Sequence, residues 1–124
     1  ALDYHKSGYN CAQSVFAACC EYTGMDEKPA LALSAGFGGG ARSGELCGAV
    51  TGAIMAEGLV FPFNDGQDTE AKDKIAAIAK QCVAIAREKY GYVRCADLKG
   101  NINCSEIIAF MAKTAEDIMK KEKN

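Results

Sequence analysis

The chain reads as an all-α protein, a single-domain bundle of about five helices with a Gly-rich loop before the third. Three observations predict it. Apolar residues recur at spacings of three and four along most of the sequence, no run alternates with the period of a strand, and Asn, Asp and Gly stand where helices should start and stop. At 124 residues one domain, 1–124, buries roughly two thirds of its unfolded surface in one core, without disulfide staples.

Asn10 followed by Gln13 forms the capping-box pattern. Cys11, Val15, Cys19 and Tyr22 then share a face of a first helix that Gly24 closes. Asp26-Glu27-Lys28-Pro29 opens a second helix, with Pro29 in its first turn; Leu31, Leu33 and Ala35 carry it to Gly36. Gly36-Phe37-Gly38-Gly39-Gly40 is expected to be a flexible loop. Ser43 or Gly44 caps a third helix from about Glu45 to Glu57, in which Gly48, Gly52 and Ala56 repeat every four residues. Glycine inside a helix costs about 1 kcal/mol against alanine, so close approach of a backbone or a cofactor must offset it.

After the turn at Phe61-Pro62-Phe63-Asn64-Asp65-Gly66, a fourth helix runs from about Asp68 to Lys89. Ile75, Ile78, Cys82, Ile85 and Lys89 form its stripe. Tyr90-Gly91-Tyr92 ends it, and a turn-rich connector holds Cys95. Asn103 with Glu106 gives a second capping box, and Ile107, Ile108, Met111, Ala115 and Ile118 mark the last helix.

Composition narrows the function. The net charge is −2 and no basic stripe is present, so a nucleic-acid footprint is not expected. No apolar run approaches the length of a membrane span. Ala1-Leu2-Asp3-Tyr4-His5-Lys6 begins polar, unlike a signal peptide; the expected location is cytoplasmic, with a removed export signal left open. Lys120-Lys121-Glu122-Lys123 is expected to be a solvated helix end. The chain is expected to work with a redox partner protein, and its small-residue stripe permits a homodimer.

Seven cysteines are the main chemical signal. An odd number argues against a closed disulfide framework and for metal or redox chemistry. Cys11 and Cys104 each follow an asparagine cap, and Cys47 falls in the first turn of the third helix. A helix N-terminus favours thiolate, the form that binds metal and reacts with disulfides. Cys82, Cys19 and Cys20 are expected to be small buried hydrophobes. Neighbours on a helix diverge by about 100°, so Cys19 and Cys20 do not chelate one ion together. No CxxC, zinc-ribbon pair or ferredoxin run is present. A site made from Cys11, Cys47, Cys95 and Cys104 must be assembled by the fold. His5 is expected at the surface, which leaves no Cys–His nucleophile pair. The glycine loop lacks the Lys-Ser/Thr of a P-loop. Its N–H groups are instead candidates to donate to sulfur, and Arg42 is the nearby charge most suited to influence a thiolate.

Gly8-Tyr9-Asn10-Cys11-Ala12-Gln13, Gly36-Phe37-Gly38-Gly39-Gly40, the segment from Cys47-Gly48-Ala49 to Gly52-Ala53-Ile54-Met55, and then Cys95 and Cys104 resemble the redox-active protein family named for its C, GCAxxG, C, C pattern. Cys47-Gly48-Ala49 stands where the family label reads Gly-Cys-Ala. The resemblance runs from about Gly8 to Ile108. It implies a small redox protein, often of anaerobic bacteria and archaea, with Cys11, Cys47, Cys95 and Cys104 as the four characteristic cysteines. Similar domains also occur joined to multihaem cytochromes that carry an iron–sulfur centre. The resemblance supplies a redox role without a reaction, and an electron carrier or redox protein is expected ahead of a substrate-turnover enzyme.

The first expectation is an electron-transfer module. Cys11, Cys47, Cys95 and Cys104 hold an iron–sulfur cluster as metal ligands, with Gly38, Gly39, Gly48 and Gly52 giving room and N–H groups around it. The alternatives are a thiol–disulfide protein or sensor, cycling Cys95 with Cys104 or Cys11 with Cys47, a structural zinc module, or a helical bundle whose cysteines only fill core.

Overall fold

In the computed structural model, which describes residues 1–98 and 100–123, helices dominate and no strand is longer than one isolated bridge among the described residues. Eight α-helices follow in order: α1 (Leu2–Lys6), α2 (Cys11–Ala18), α3 (Cys20–Thr23), α4 (Glu27–Ser34), α5 (Gly48–Val60), α6 (Thr69–Tyr90), α7 (Cys95–Leu98) and α8 (Cys104–Lys123). Five of them, α2, α4, α5, α6 and α8, are eight residues or longer, which is the expected bundle with short helices added at its joints.

The core forms where α2, α5 and α8 meet. Val15 and Phe16 of α2, Ala49, Val50, Ala53 and Ala56 of α5, and Ile107, Ile108, Met111, Ala115, Ile118 and Met119 of α8 are all buried. The predicted stripe of the last helix is therefore wholly interior. The predicted first helix breaks at Cys19, where backbone at φ −91°, ψ 3° separates α2 from α3. Gly24 closes α3 in the left-handed conformation. α4 buries Ala30 and Ser34; Leu33 instead faces solvent.

α6 is attached more narrowly than expected. Ile78, Cys82 and Ala86 are fully buried, one residue per turn, and Ile75 and Ile85 of the expected stripe pack half-buried against the core. Lys89 is exposed, with its ammonium 5.6 Å from the Phe110 ring centre. α6 packs mainly on α5, with a smaller contact to α8.

The small-residue stripe of α5 is used inside the chain. A Cβ at Gly52 would stand 2.8 Å from the Ala12 carbonyl oxygen and 3.2 Å from Val15 Cβ. α2 and α5 thus approach to backbone contact at Gly52, and helix packing offsets its low propensity. No described helix is long and apolar enough to cross a membrane. Lys120 and Lys121 are exposed at the end of α8, while the side chains of Glu122 and Lys123 lie outside the described residues.

Candidate functional site

Four short backbone devices carry the sulfur. Cys11 is the first residue of α2, whose capping box is formed as expected: Asn10 accepts from the Gln13 N–H at 2.9 Å, and Gln13 Oε1 accepts from the Asn10 N–H at 3.1 Å. Asn10 Nδ2 also donates to the Ala35 carbonyl at 2.9 Å, which ties the start of α2 to the glycine-rich segment. Gly38 lies against the Asn10 side chain, where any Cβ would collide with it.

The glycine-rich segment is a defined structure rather than the expected flexible loop. Ala35–Phe37 forms a 3-10 turn, and Gly39, Gly40, Ala41 and Arg42 are then all left-handed, with φ between 59° and 68°. The Glu45 N–H closes the turn on the Gly40 carbonyl at 3.1 Å. A Cβ at Gly40 would strike the Glu45 backbone, so glycine is required there. Ala41 and Arg42 hold a conformation that costs about 1–2 kcal/mol per non-glycine residue. The turn directs the Gly39 N–H at the Cys11 sulfur.

Cys47 and Cys95 are brought together by an antiparallel bridge, Leu46 with Arg94. The Cys47 N–H donates to the Val93 carbonyl at 2.8 Å, and the Cys95 N–H to the Glu45 carbonyl at 2.6 Å. This bridge delays the third helix, which starts at Gly48 rather than Glu45 and leaves Cys47 as its N-cap. Cys95, expected in a connector, instead opens α7. Cys104 opens α8; Asn103 precedes it and accepts from the Ser105 N–H at 2.8 Å.

These elements place Cys11, Cys47, Cys95 and Cys104 around one apolar cavity of about 30 Å³, whose remaining walls are Leu98, Ile102 and Ile107. Exposure rises across it: Cys47 is buried, Cys11 and Cys95 are half-buried, and Cys104 is exposed. The two inner sulfurs interact, and the interaction favours the proton on Cys47 and negative charge on Cys11. That interaction lowers the Cys11 pKa, helped by the N–H groups of Gly39, Ala12 and Cys11 itself and opposed by burial. The same interaction, then burial, raises that of Cys47, although the Ala49 and Val50 N–H groups at the start of α5 favour its charged form. Gly48 sits directly beneath: a Cβ there would collide with Cys11 Sγ and stand 3.0 Å from the Phe37 carbonyl.

Of the four glycines expected around the site, Gly39 and Gly48 touch the Cys11 sulfur, Gly38 accommodates its helix cap, and Gly52 serves the α2–α5 contact. Among the described residues, no three or more His, Cys, Asp or Glu side chains stand as a ready-made metal-ligand set. His5 belongs to α1, and its Nδ1 lies 3.3 Å from the Tyr9 carbonyl. Arg42 is exposed.

Sequence reasoning missed a second polar cluster. Glu57 of α5 is fully buried, and Cys82 of α6, also fully buried, donates its thiol to both carboxylate oxygens at 2.9 and 3.1 Å. The signal was legible: Ala49, Ala53 and Glu57 fall on one helical face, and Glu57 is the only charged residue of α5.

No curated protein and no solved structure matched the chain. The family described as "Putative redox-active protein (C_GCAxxG_C_C)" matches residues 9–118, from just ahead of Cys11 to the buried Ile118 of α8. A match of that extent, with all four cavity cysteines inside it, makes the chain a member of this redox-active protein family.

Proposed function

We propose that the chain is a small electron-transfer protein in which Cys11, Cys47, Cys95 and Cys104 together hold an iron–sulfur cluster. One observation carries this: sulfur from four separate helix starts converges on a single apolar cavity. The chemistry of the donor set fits. Four cysteines suit either a 2Fe–2S or a 4Fe–4S cluster. A cavity of about 30 Å³ holds about one water. The exposed Cys104 wall must therefore move outward for a cluster to enter.

When bound, such a cluster supplies reversible one-electron transfer. The chain's own part is electrostatic and steric. N–H groups at the starts of α2 and α5 and from Gly39 stabilise negative sulfur. Leu98, Ile102 and Ile107 exclude water, and Cys104 gives an exposed edge through which a partner protein exchanges electrons.

Anaerobic purification, visible absorption and assay of iron and sulfide test the proposal. The expected protein is coloured and holds iron and sulfide in stoichiometric amounts; Cys95→Ser and Cys104→Ser lose most of both. A colourless protein free of iron after anaerobic preparation overturns it.

The Cys11–Cys47 interaction favours a second reading, a dithiol–disulfide protein. Cys11 thiolate attacks a partner disulfide and releases one partner thiol. Cys47 then loses its proton and attacks the Cys11 sulfur, releasing the second thiol and leaving Cys11–Cys47 oxidised. Titration that finds two thiols fewer after oxidation, mapped to Cys11 and Cys47 in iron-free protein, supports this instead. Stoichiometric zinc without a chromophore points to the structural zinc alternative.

A further inference from the structure

Glu57 and Cys82 lie outside the four-cysteine cavity and belong to neither reading of it. A carboxylate with no water around it normally requires a cation or several hydrogen bonds. Glu57 has only the Cys82 thiol: none of the three ion pairs among the described residues includes it. Two titratable groups face it. Cys82 comes from α6, and Cys19 from the junction of α2 and α3, whose pKa burial pushes up to about 12 with the Glu57 charge second. The charges acting on Cys19 include the amino terminus, Cys20 and Glu116, and Glu116 is itself held at the surface by Lys120 and the Tyr22 hydroxyl. α8 contributes Met111, Ala115, Ile118 and Met119 to the core, all without charge. The thiols carry no positive charge in any protonation state, so nothing in this pocket compensates an ionised Glu57.

The element that supplies Cys82 is also attached along a narrow line. α6 is 22 residues long but fully buries only Ile78, Cys82 and Ala86, with Cys82 the middle of the three, while Ile75, Val83, Ile85 and Tyr90 pack half-buried at the edge of the core. Lifting α6 from α5 therefore exposes Glu57 to water while the α2–α5–α8 core stays packed. Elements with few buried contacts open at lower free energy than the whole molecule.

We propose that Glu57 is a proton-controlled latch: protonated, it lets α6 close over it through the Cys82 thiol, and its ionisation drives α6 off α5. Burial raises the Glu57 pKa from 4.5 to about 7, and the Cys82 bond lowers it only in part. Closed protein thus keeps the proton up to about pH 7, whereas the opened form releases it above about 4.5. Opening is coupled to loss of one proton across that window, and its equilibrium constant rises about tenfold per pH unit there before levelling off.

Hydrogen exchange of α6 amides in the full chain, corrected for the intrinsic base-catalysed rate, reads this directly. Expected is a loss of α6 protection of about tenfold per pH unit between roughly pH 4.5 and 7, flat above, with α2 and α8 amides much less affected. Glu57→Gln, neutral at every pH, should abolish the slope. Should that variant not fold, Cys82→Ala removes the only donor to the carboxylate, and the break in the slope should move to higher pH. Flat α6 protection in the wild type, an unchanged slope in E57Q, an unmoved break in C82A, or equal loss across α2 and α8 each overturns the latch.

Discussion

At the scale of single residues, the site depends on what is missing at Gly48. A glycine at the first position of a helix is usually a conformational choice, but this one is a matter of volume, because the Cys11 sulfur occupies the place of its side chain. Gly48→Ala should improve helix propensity by about 1 kcal/mol, yet force Cys11 and the Phe37 carbonyl apart. The net expectation is a loss of about 1–3 kcal/mol in urea unfolding. A neutral or stabilising result would show that the two helix starts are not in contact. Gly48 was singled out by its period in the sequence, and so was Gly52; only the fold separates the one beneath sulfur from the one beneath backbone. The cysteines themselves were legible because Asn10 and Asn103 announce helix starts. Cys95 was named in the same set but placed in a connector, since the four residues of α7 leave no periodicity to read.

At the scale of elements, local signals succeeded where a helix satisfies its own ends and failed where a distant segment does so. The Asn10 and Gln13 box is closed within four residues, and it formed as its pattern predicts. The start of α5 is set by Val93 and Arg94, far along the chain, so the window around Glu45 carried no trace of it. The same reasoning covers the glycine segment: Gly36 to Gly40 announces freedom of φ, but the left-handed turn exists because Glu45 and Asn10 hold it from outside. For α6, the narrow attachment has a direct mutational consequence. Ile78→Ala removes one of the three fully buried anchors of α6 and should cost about 2–4 kcal/mol. Because the anchor belongs to α6, α6 amides should lose hydrogen-exchange protection more than those of α2. Equal loss in both would mean that α6 and the core open as one unit.

At the scale of the whole molecule, Glu57 sets a trend in stability with pH. Its carboxyl is near 4.5 when unfolded and about 7 when folded. Below about pH 4.5 both states hold the proton and the group is neutral in its effect. As pH rises towards 7 the unfolded chain releases the proton first, so folding loses about 3 kcal/mol from this group across that window and no more above it. Denaturant titrations of wild type and E57Q at pH 4.5 and 7.5 should differ in their pH response by about that amount, the wild type losing more. A parallel response in the two proteins would remove Glu57 as the cause. The three surface ion pairs contribute little by comparison, since each is exposed and screened. All-α architecture was legible at this scale from periodicity alone. The grouping of the four cysteines was legible only through the family's motif order, because spacing alone does not say which helices pack together.

The cavity draws its first sulfur from the start of α2 and its last from the start of α8, so nearly the whole chain lies between them. A ribosome delivers Cys11 and Cys47 long before Cys104 exists to close the wall. The Cys11–Cys47 pair itself waits for Val93 and Arg94, which seat Cys47, so it forms only after α6 has been made. The four-cysteine cavity is therefore completed late, once α7 and the start of α8 have followed α6.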